Sequence, residues 1–191
     1  MRYVMVCFAI VAGLVSAAAA AKVEIRTQRD KSFSFKNLHT WDWHPDGAGD
    51  VKMMSTSFDD PKQVKEQLDP VITQAVEKEL ATRGLNRTPG GKTDLLVNYY
   101  LLVMPATSST EMGHFLPSVA EYGLPPIKQA TNYMRAFERG SLVIDVVAPA
   151  LKTVVWRGIA QTEVNRELSD EARAARINKA VQDIIKKLPA K

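Results

Sequence analysis

Residues 141–164 read SLVIDVVAPALKTVVWRGIAQTEV, and this stretch decides the fold class. Its two halves, Ser141–Ala148 and Thr153–Val164, are rich in β-branched residues, which favour strands. The link of four residues between the halves is short enough for a hairpin. Gly158 lies inside the second strand and indicates either a bulge or a close approach of the backbone to a neighbour. The stretch therefore predicts an antiparallel hairpin.

Three more strands are predicted upstream of this hairpin. Asp94–Met104 is almost continuously apolar, which predicts a central strand covered on both faces or a long strand that leaves one edge of the sheet. Val23–Thr27 alternates apolar and polar residues, the pattern of a half-buried strand. A second short strand is predicted to end near Trp43, and the turn-forming residues of His44–Asp50 predict a loop after it.

The first of two predicted helices begins at Asp69 and Pro70. The Asp carboxylate can accept hydrogen bonds from free N–H groups of the first turn, and Pro needs no N–H partner there. Gly84 suits the left-handed position just after the helix. Pro61–Leu68 also fits a turn or a short helix before this element.

The second helix, at the C-terminus, is the clearest element of the chain. Ser169 provides a cap, Asp170 and Glu171 place acidic side chains in the first turn, and Pro189 ends the apolar stripe. The element order is β–(β)–α–β–long loop–β–β–α. It predicts an α+β fold with an antiparallel sheet of four to five strands and two main helices packed on one face.

The N-terminal residues 1–21 have the layout of a secretory signal peptide. Arg2 precedes an apolar run, and alanines follow it, with cleavage expected after Ala21 or Ala20. The run is too short and wrongly flanked for a membrane-spanning helix. We therefore expect an exported, periplasmic protein whose residues 22–191 form a single α+β domain.

The only cysteine of the chain, Cys7, lies inside this apolar run. A lipidated cysteine must follow such a run, because it becomes the first residue of the mature protein. The sequence therefore predicts no lipid anchor, and it excludes a disulfide scaffold and any site built from several cysteines.

A long irregular segment, residues 105–139, separates two of the strands. Insertions of this length in a compact domain are usually functional or mobile. Its apolar side chains form a candidate binding loop for a peptide, lipid or glycan: Met112, Phe115, Tyr122, Tyr133 and Phe137. The alternative is that these side chains attach the loop to the sheet.

Six segments together carry a resemblance to a known family. They are Phe33 to Trp41, Asp69 to Leu85, Asp94 to Tyr99, Gly140 to Asp145, Val155 to Ala160, and Ile177 to Pro189. Their order and spacing resemble the bacterial domain-of-unknown-function 4136 family, whose members are mostly classed as envelope lipoproteins. The resemblance implies an envelope location and an α+β domain, and it implies no activity, substrate or catalytic residue. No cysteine ends the signal region here, and this departure argues against membrane anchoring.

One cluster has the residue types of a metal site: His39, Asp42, His44, Asp46 and Asp50. Imidazole and carboxylate groups bind Zn²⁺ and similar ions. On a strand, Asp42 and His44 would share a face, and Asp46 could join them from the loop. Turn-forming aspartates and solvated histidines explain the same residues with fewer assumptions.

The sequence lacks the motifs that nucleophilic catalysis, phosphate binding and nucleic-acid binding would require. No G-x-S-x-G elbow is present, and Gly90-Gly91-Lys92-Thr93 fails as a phosphate loop because a strand follows it. The net charge is +4, but no run of Lys or Arg exceeds two, which argues against a nucleic-acid partner. Asp145 and Arg157 lie in adjacent predicted strands. A buried pair with perturbed pKa values could mark a functional site, but a structural cross-strand ion pair or a solvent-facing row is the favoured interpretation.

Three functions follow from these observations. The first is a non-enzymatic envelope domain that binds an envelope protein, glycan or lipid, with no cofactor, metal, catalytic residue or transmembrane helix in the mature chain. The second is a metal-dependent hydrolase that uses the His39–Asp50 region. The third is a carrier that holds an apolar ligand between the sheet and the helices.

Overall fold

The computed structural model describes residues 23–53, 60–103, 140–162, 164–165 and 167–189. These residues form seven strands and two helices. In chain order they are β1 (Glu24–Arg29), β2 (Thr40–Trp43), β3 (Gly49–Met53), α1 (Pro61–Thr82), β4 (Asn86–Arg87), β5 (Leu95–Val103), β6 (Gly140–Ala148), β7 (Thr153–Thr162) and α2 (Asp170–Ile185).

All seven strands belong to one mixed sheet in the order β1-β7-β6-β5-β2-β4, and β3 also pairs with β5. The pairs among β1, β7, β6 and β5 are antiparallel, while β2, β3 and β4 join through parallel pairs. The predicted α+β class and the hairpin of β6 and β7 are confirmed. The sheet has more strands than the four to five expected, because the short strands β3 and β4 were not predicted. Its parallel pairs make it mixed, where an antiparallel sheet was expected.

Strands β2 and β3 share the same edge of β5, one after the other. β2 pairs with residues 95–97 and β3 with residues 99–103. The backbone N–H of His44 donates to Val97 O at 2.9 Å, and that of Tyr99 donates to Ala48 O at 2.9 Å. The predicted loop is therefore shorter than expected, because Gly49 and Asp50 pair with the edge of β5.

The predicted start of the first helix at Asp69 is wrong. α1 begins at Pro61, where the Asp60 carboxylate caps it by accepting a hydrogen bond of 3.0 Å from the Lys62 N–H. Pro70 lies inside the helix. The Asp69 carboxylate accepts from the Tyr99 hydroxyl of β5 instead of capping a new helix. The predicted end is confirmed, since Gly84 follows the helix with a φ of 72°.

The core lies between the helix pair and one face of the sheet. α1 and α2 pack against each other and against the strands through fully buried apolar side chains, among them Ile72, Ile184 and Trp156. A Cβ atom at Gly158 would collide with Ile184 of α2 and with the Trp156 ring. Gly158 therefore marks a close approach between strand and helix, one of the two interpretations that the sequence allowed.

Several sequence expectations fall on residues that the structure does not describe. They are the signal peptide of residues 1–21, the irregular insertion of residues 105–139, and its candidate binding residues Met112, Phe115, Tyr122, Tyr133 and Phe137. Within the described ranges, neither helix is both long and apolar enough to cross a membrane.

Candidate functional site

Asp145 and Arg157 form a buried ion pair at the centre of the sheet. The two residues lie directly opposite each other on β6 and β7. Arg157 donates through Nε to Oδ1 and through Nη2 to Oδ2, both at 2.6 Å. The Arg157 and Asp145 side chains are 1% and 0% exposed, so the expected cross-strand ion pair is confirmed. Burial raises the pKa of the Asp145 carboxyl, and the Arg157 guanidinium opposes this shift.

This pair lies on the face of the sheet that points away from the helices. Side chains alternate along a strand, and Ile144 and Val146 belong to the core on the helix side. Asn98 is the direct partner of Asp145 on β5, and Ser141 and Gln161 are buried on the same face. The Asn98 Oδ1 accepts no hydrogen bond from the described residues. The sheet thus buries a polar row whose two charges neutralise each other.

Asp42, a candidate metal ligand, is held by neighbouring residues of the chain. Its Oδ1 accepts from Arg87 Nε at 3.1 Å, and its Oδ2 accepts from the Gly90 N–H at 2.9 Å. Burial raises the pKa of Asp42, but these hydrogen bonds outweigh it and leave the pKa below its ordinary value. Asp42 is therefore a fixed anion that joins β2 to the turn after β4.

The remaining residues of the candidate metal cluster have separate contacts. His44 Nδ1 is 3.5 Å from Asp46 Oδ2, and Asp50 Oδ2 is 3.7 Å from Lys52 Nζ. His39 is exposed. In the described part of the chain, no three His, Cys, Asp or Glu side chains come together in a way that could hold a metal ion. The structure does not assemble the proposed ligands Asp42, His44 and Asp46 into one site.

A cavity of about 290 Å³ lies between the two helices and the ends of the central strands. Both helices and strands β5, β6 and β7 contribute to its walls, which are mostly apolar. Prominent wall residues are Val64, Leu68, Leu101, Ala160, Ile177 and Ala180. This is a concave apolar site at the junction of the two layers, the usual setting of a small-molecule site.

Four of the residues that line this cavity have polar side chains. Gln67, Asn165, Arg173 and Arg176 all line it, and the two arginines are half-buried. Arg173 donates to Asp170 Oδ1 at 3.0 Å. The Arg176 side chain, by contrast, has no hydrogen bond or ion pair with any residue that the structure describes. The cavity therefore combines mostly apolar walls with a cationic side chain in its lining.

The sequence suggested a ligand between sheet and helices but named no residue for it. Ile177 and Ala180 fit an ordinary core stripe of α2, and only the assembled fold shows that part of this stripe lines a cavity between the described elements. The one feature of the sequence that could have indicated the cavity was the size of the side chains. Ala160 and Ala180 are small residues at buried positions, and small side chains facing each other across two layers leave volume.

The family relationship follows from the sequence over nearly all of this fold. Residues 25–190 match the family model described as Domain of unknown function (DUF4136). The chain belongs to the DUF4136 family. The match confirms the resemblance carried by the six segments of the sequence. No curated protein is significantly similar to this DUF4136 chain.

Two solved structures are similar to the DUF4136 chain at low sequence identity and with TM-scores below 0.5. The PelC dodecamer from Paraburkholderia phytofirmans is 7% identical with a TM-score of 0.42, and the match covers 89% of this chain and 100% of that chain. A PDZ domain protein from Parabacteroides distasonis is 14% identical with a TM-score of 0.48, covering 90% of this chain and 37% of that chain.

Proposed function

We propose that this DUF4136 domain is a non-enzymatic binding protein of the bacterial cell envelope, which holds an apolar ligand between its helices and its sheet. The observation that carries the proposal is the cavity of about 290 Å³. Its size is close to the lower end of the ~300–1,000 Å³ range of small-molecule sites. Its apolar walls favour a ligand whose binding removes hydrocarbon surface from water.

The distribution of charged groups supports binding over catalysis. No Asp, Glu or His side chain is among the described residues that line the cavity. Several carboxylates have partners elsewhere in the chain, among them Asp145 with Arg157, Asp42 with Arg87, and Asp69 with Tyr99. A general acid or base must lie within hydrogen-bond reach of the reacting atoms, and none of these carboxylates is among the described residues that line the cavity.

The envelope location rests on the N-terminal pattern. A charged residue, an apolar run and an alanine-rich end are typical of a signal peptide that is cleaved on export, here near Ala20 or Ala21. The intact mass of the exported protein should correspond to a start at Ala21 or Lys22. A mass that includes a diacylglyceryl group would contradict the unanchored, periplasmic assignment.

Filling the cavity tests the binding function. Val64 is a half-buried wall residue of α1, and Val64→Phe directs a ring into the cavity. We expect the neutral fluorescent probe N-phenylnaphthylamine to bind the full-length exported protein with enhanced emission, and Val64→Phe to lower this emission severalfold.

The control for this variant is Leu151→Phe. It adds the same ring in the turn between β6 and β7, at a position that is 56% exposed and outside the cavity. The two variants should unfold at similar temperatures. Probe binding that is absent from the unmodified protein, or equal in both variants, would overturn the proposal.

A further inference from the structure

One of the residues that line the cavity, Arg176, has a cationic side chain with no ion-pair partner in the described part of the chain. Arg176 and Ile177 lie four and three residues before Ala180, and residues at these spacings share one side of a helix. Arg176 lines the cavity and is half-buried, and a long arginine side chain in such a place keeps its stem against apolar surface and its guanidinium towards water. A cation beside an apolar site loses hydration, and an anion in contact with it offsets that loss.

Asp170, at the start of α2, already accepts hydrogen bonds from two residues that line the cavity. Asp170 accepts hydrogen bonds through Oδ1 from Arg173 at 3.0 Å and from Gln67 Nε2 at 3.1 Å. Arg173 also donates to Leu168 O at 3.3 Å. These contacts fix the Arg173 side chain and leave that of Arg176 without a partner among the described residues of the cavity lining.

We propose that the ligand is an amphiphile with one alkyl chain and a carboxylate, whose chain fills the cavity and whose carboxylate pairs with Arg176. This inference rests on the proposed function and names its ligand class. A single chain suits a cavity of this size better than a lipid with two chains, because the volume is at the lower end for small-molecule sites. The planar guanidinium offers two parallel donors to a carboxylate.

Amphiphiles with the same tail and different headgroups provide the test. Dodecanoate, dodecyl maltoside and dodecyltrimethylammonium compete with N-phenylnaphthylamine for the full-length exported protein, each below its micelle concentration. We expect dodecanoate to bind most tightly and the cationic analogue most weakly. Arg176→Gln should weaken dodecanoate binding about tenfold, the ratio that corresponds to one partly desolvated ion pair, and leave the neutral maltoside unchanged.

Two further variants make this comparison specific to the guanidinium. Arg176→Lys keeps the positive charge and should restore part of the lost dodecanoate affinity. Arg26→Gln removes an arginine from β1 that pairs with Glu24 outside the cavity, and it should have no effect on binding.

The outcomes separate this inference from the function on which it rests. Equal affinity for the three amphiphiles, or no effect of Arg176→Gln, would overturn the carboxylate assignment while leaving an apolar binding site in place. Failure of every amphiphile to bind the full-length protein would mean that the cavity is not a ligand site, as when a segment of the chain itself fills it. That result would overturn both proposals.

Discussion

The Tyr99 hydroxyl of β5 donates a hydrogen bond of 2.6 Å to Asp69 Oδ1 in the middle of α1. Tyr99 is fully buried, and both desolvation and the nearby Asp69 carboxylate raise the pKa of its hydroxyl. The residue after Asp69 is Pro70, which has no N–H to donate within the helix. The bond thus ties the sheet to α1 at the point where the helix lacks one of its own hydrogen bonds.

Removing this bond should destabilise the domain. We expect Tyr99→Phe to lower the free energy of unfolding by about 1–3 kcal/mol, because it removes a hydrogen bond to a charged group. Asp69→Asn keeps an acceptor oxygen and should cost less. Urea unfolding of both variants measures the difference, and an unchanged midpoint for Tyr99→Phe would show that the bond contributes nothing.

Adding a methyl group at Gly158 should also destabilise the fold. The new Cβ would collide with Ile184 and the Trp156 ring, so α2 must move away from the sheet. We expect a loss of about 1–3 kcal/mol for Gly158→Ala, the usual range for an overpacked core. Gly91→Ala is the matched control, because its Cβ would meet only ordinary contacts. Similar melting temperatures for the two variants would refute the close-packing argument.

The buried ion pair should behave as a unit. Arg157→Met leaves the Asp145 carboxylate buried without its guanidinium, and we expect a loss of about 3–5 kcal/mol. Replacing both residues, with Asp145→Leu added, should cost less than Arg157→Met alone, since no charge then remains buried. A double-mutant cycle from denaturant unfolding gives the coupling energy. Additive losses would contradict the pairing.

The Asp94 carboxylate should make stability depend on acid pH. It accepts hydrogen bonds from the His39 and Thr40 N–H groups and the Thr40 hydroxyl, at 2.8 to 2.9 Å, and these hold its pKa below the ordinary value. Because the folded pKa is lower than the unfolded one, this stabilisation is present above the unfolded pKa of about 3.9. It is lost as the pH falls through the folded pKa.

An NMR titration of the Asp94 side chain checks this expectation directly. Thr40→Val removes the hydroxyl donor and should move the pKa of Asp94 towards its ordinary value, while Thr82→Val, whose hydroxyl donates to Glu79 O, should leave it unchanged. An Asp94 pKa at or above the ordinary value in the unmodified protein would exclude this source of acid sensitivity.

The strands and helix ends that are determined by residues close together in the chain could be predicted from the sequence. The apolar runs of β5 and of the hairpin fix those strands, and the Ser169 cap fixes the start of α2. The start of α1 was not predictable, because Asp69 and Pro70 give the same local signal at a cap and inside a helix. The contact that decides between the two comes from Tyr99, on a strand that follows the helix in the sequence.

The same distinction applies to the candidate site. The Asp145–Arg157 pair was predictable because a hairpin places its two strands side by side. The cavity was not, because its walls come from elements far apart in the sequence, and empty volume depends on how closely they pack. Arg176 has no local feature that distinguishes it from any other arginine on a helix.

The loop between β2 and β3, residues 44–48, is a suitable site for attaching a reporter group. Hydrogen bonds at His44 and Ala48 fix the two strands on β5 independently, so a change at the tip leaves the register of both strands intact. The Asp46 side chain is 92% exposed at this tip. Since Cys7 is the only cysteine, Asp46→Cys in the protein cleaved as proposed would create a single thiol for a fluorophore or spin label.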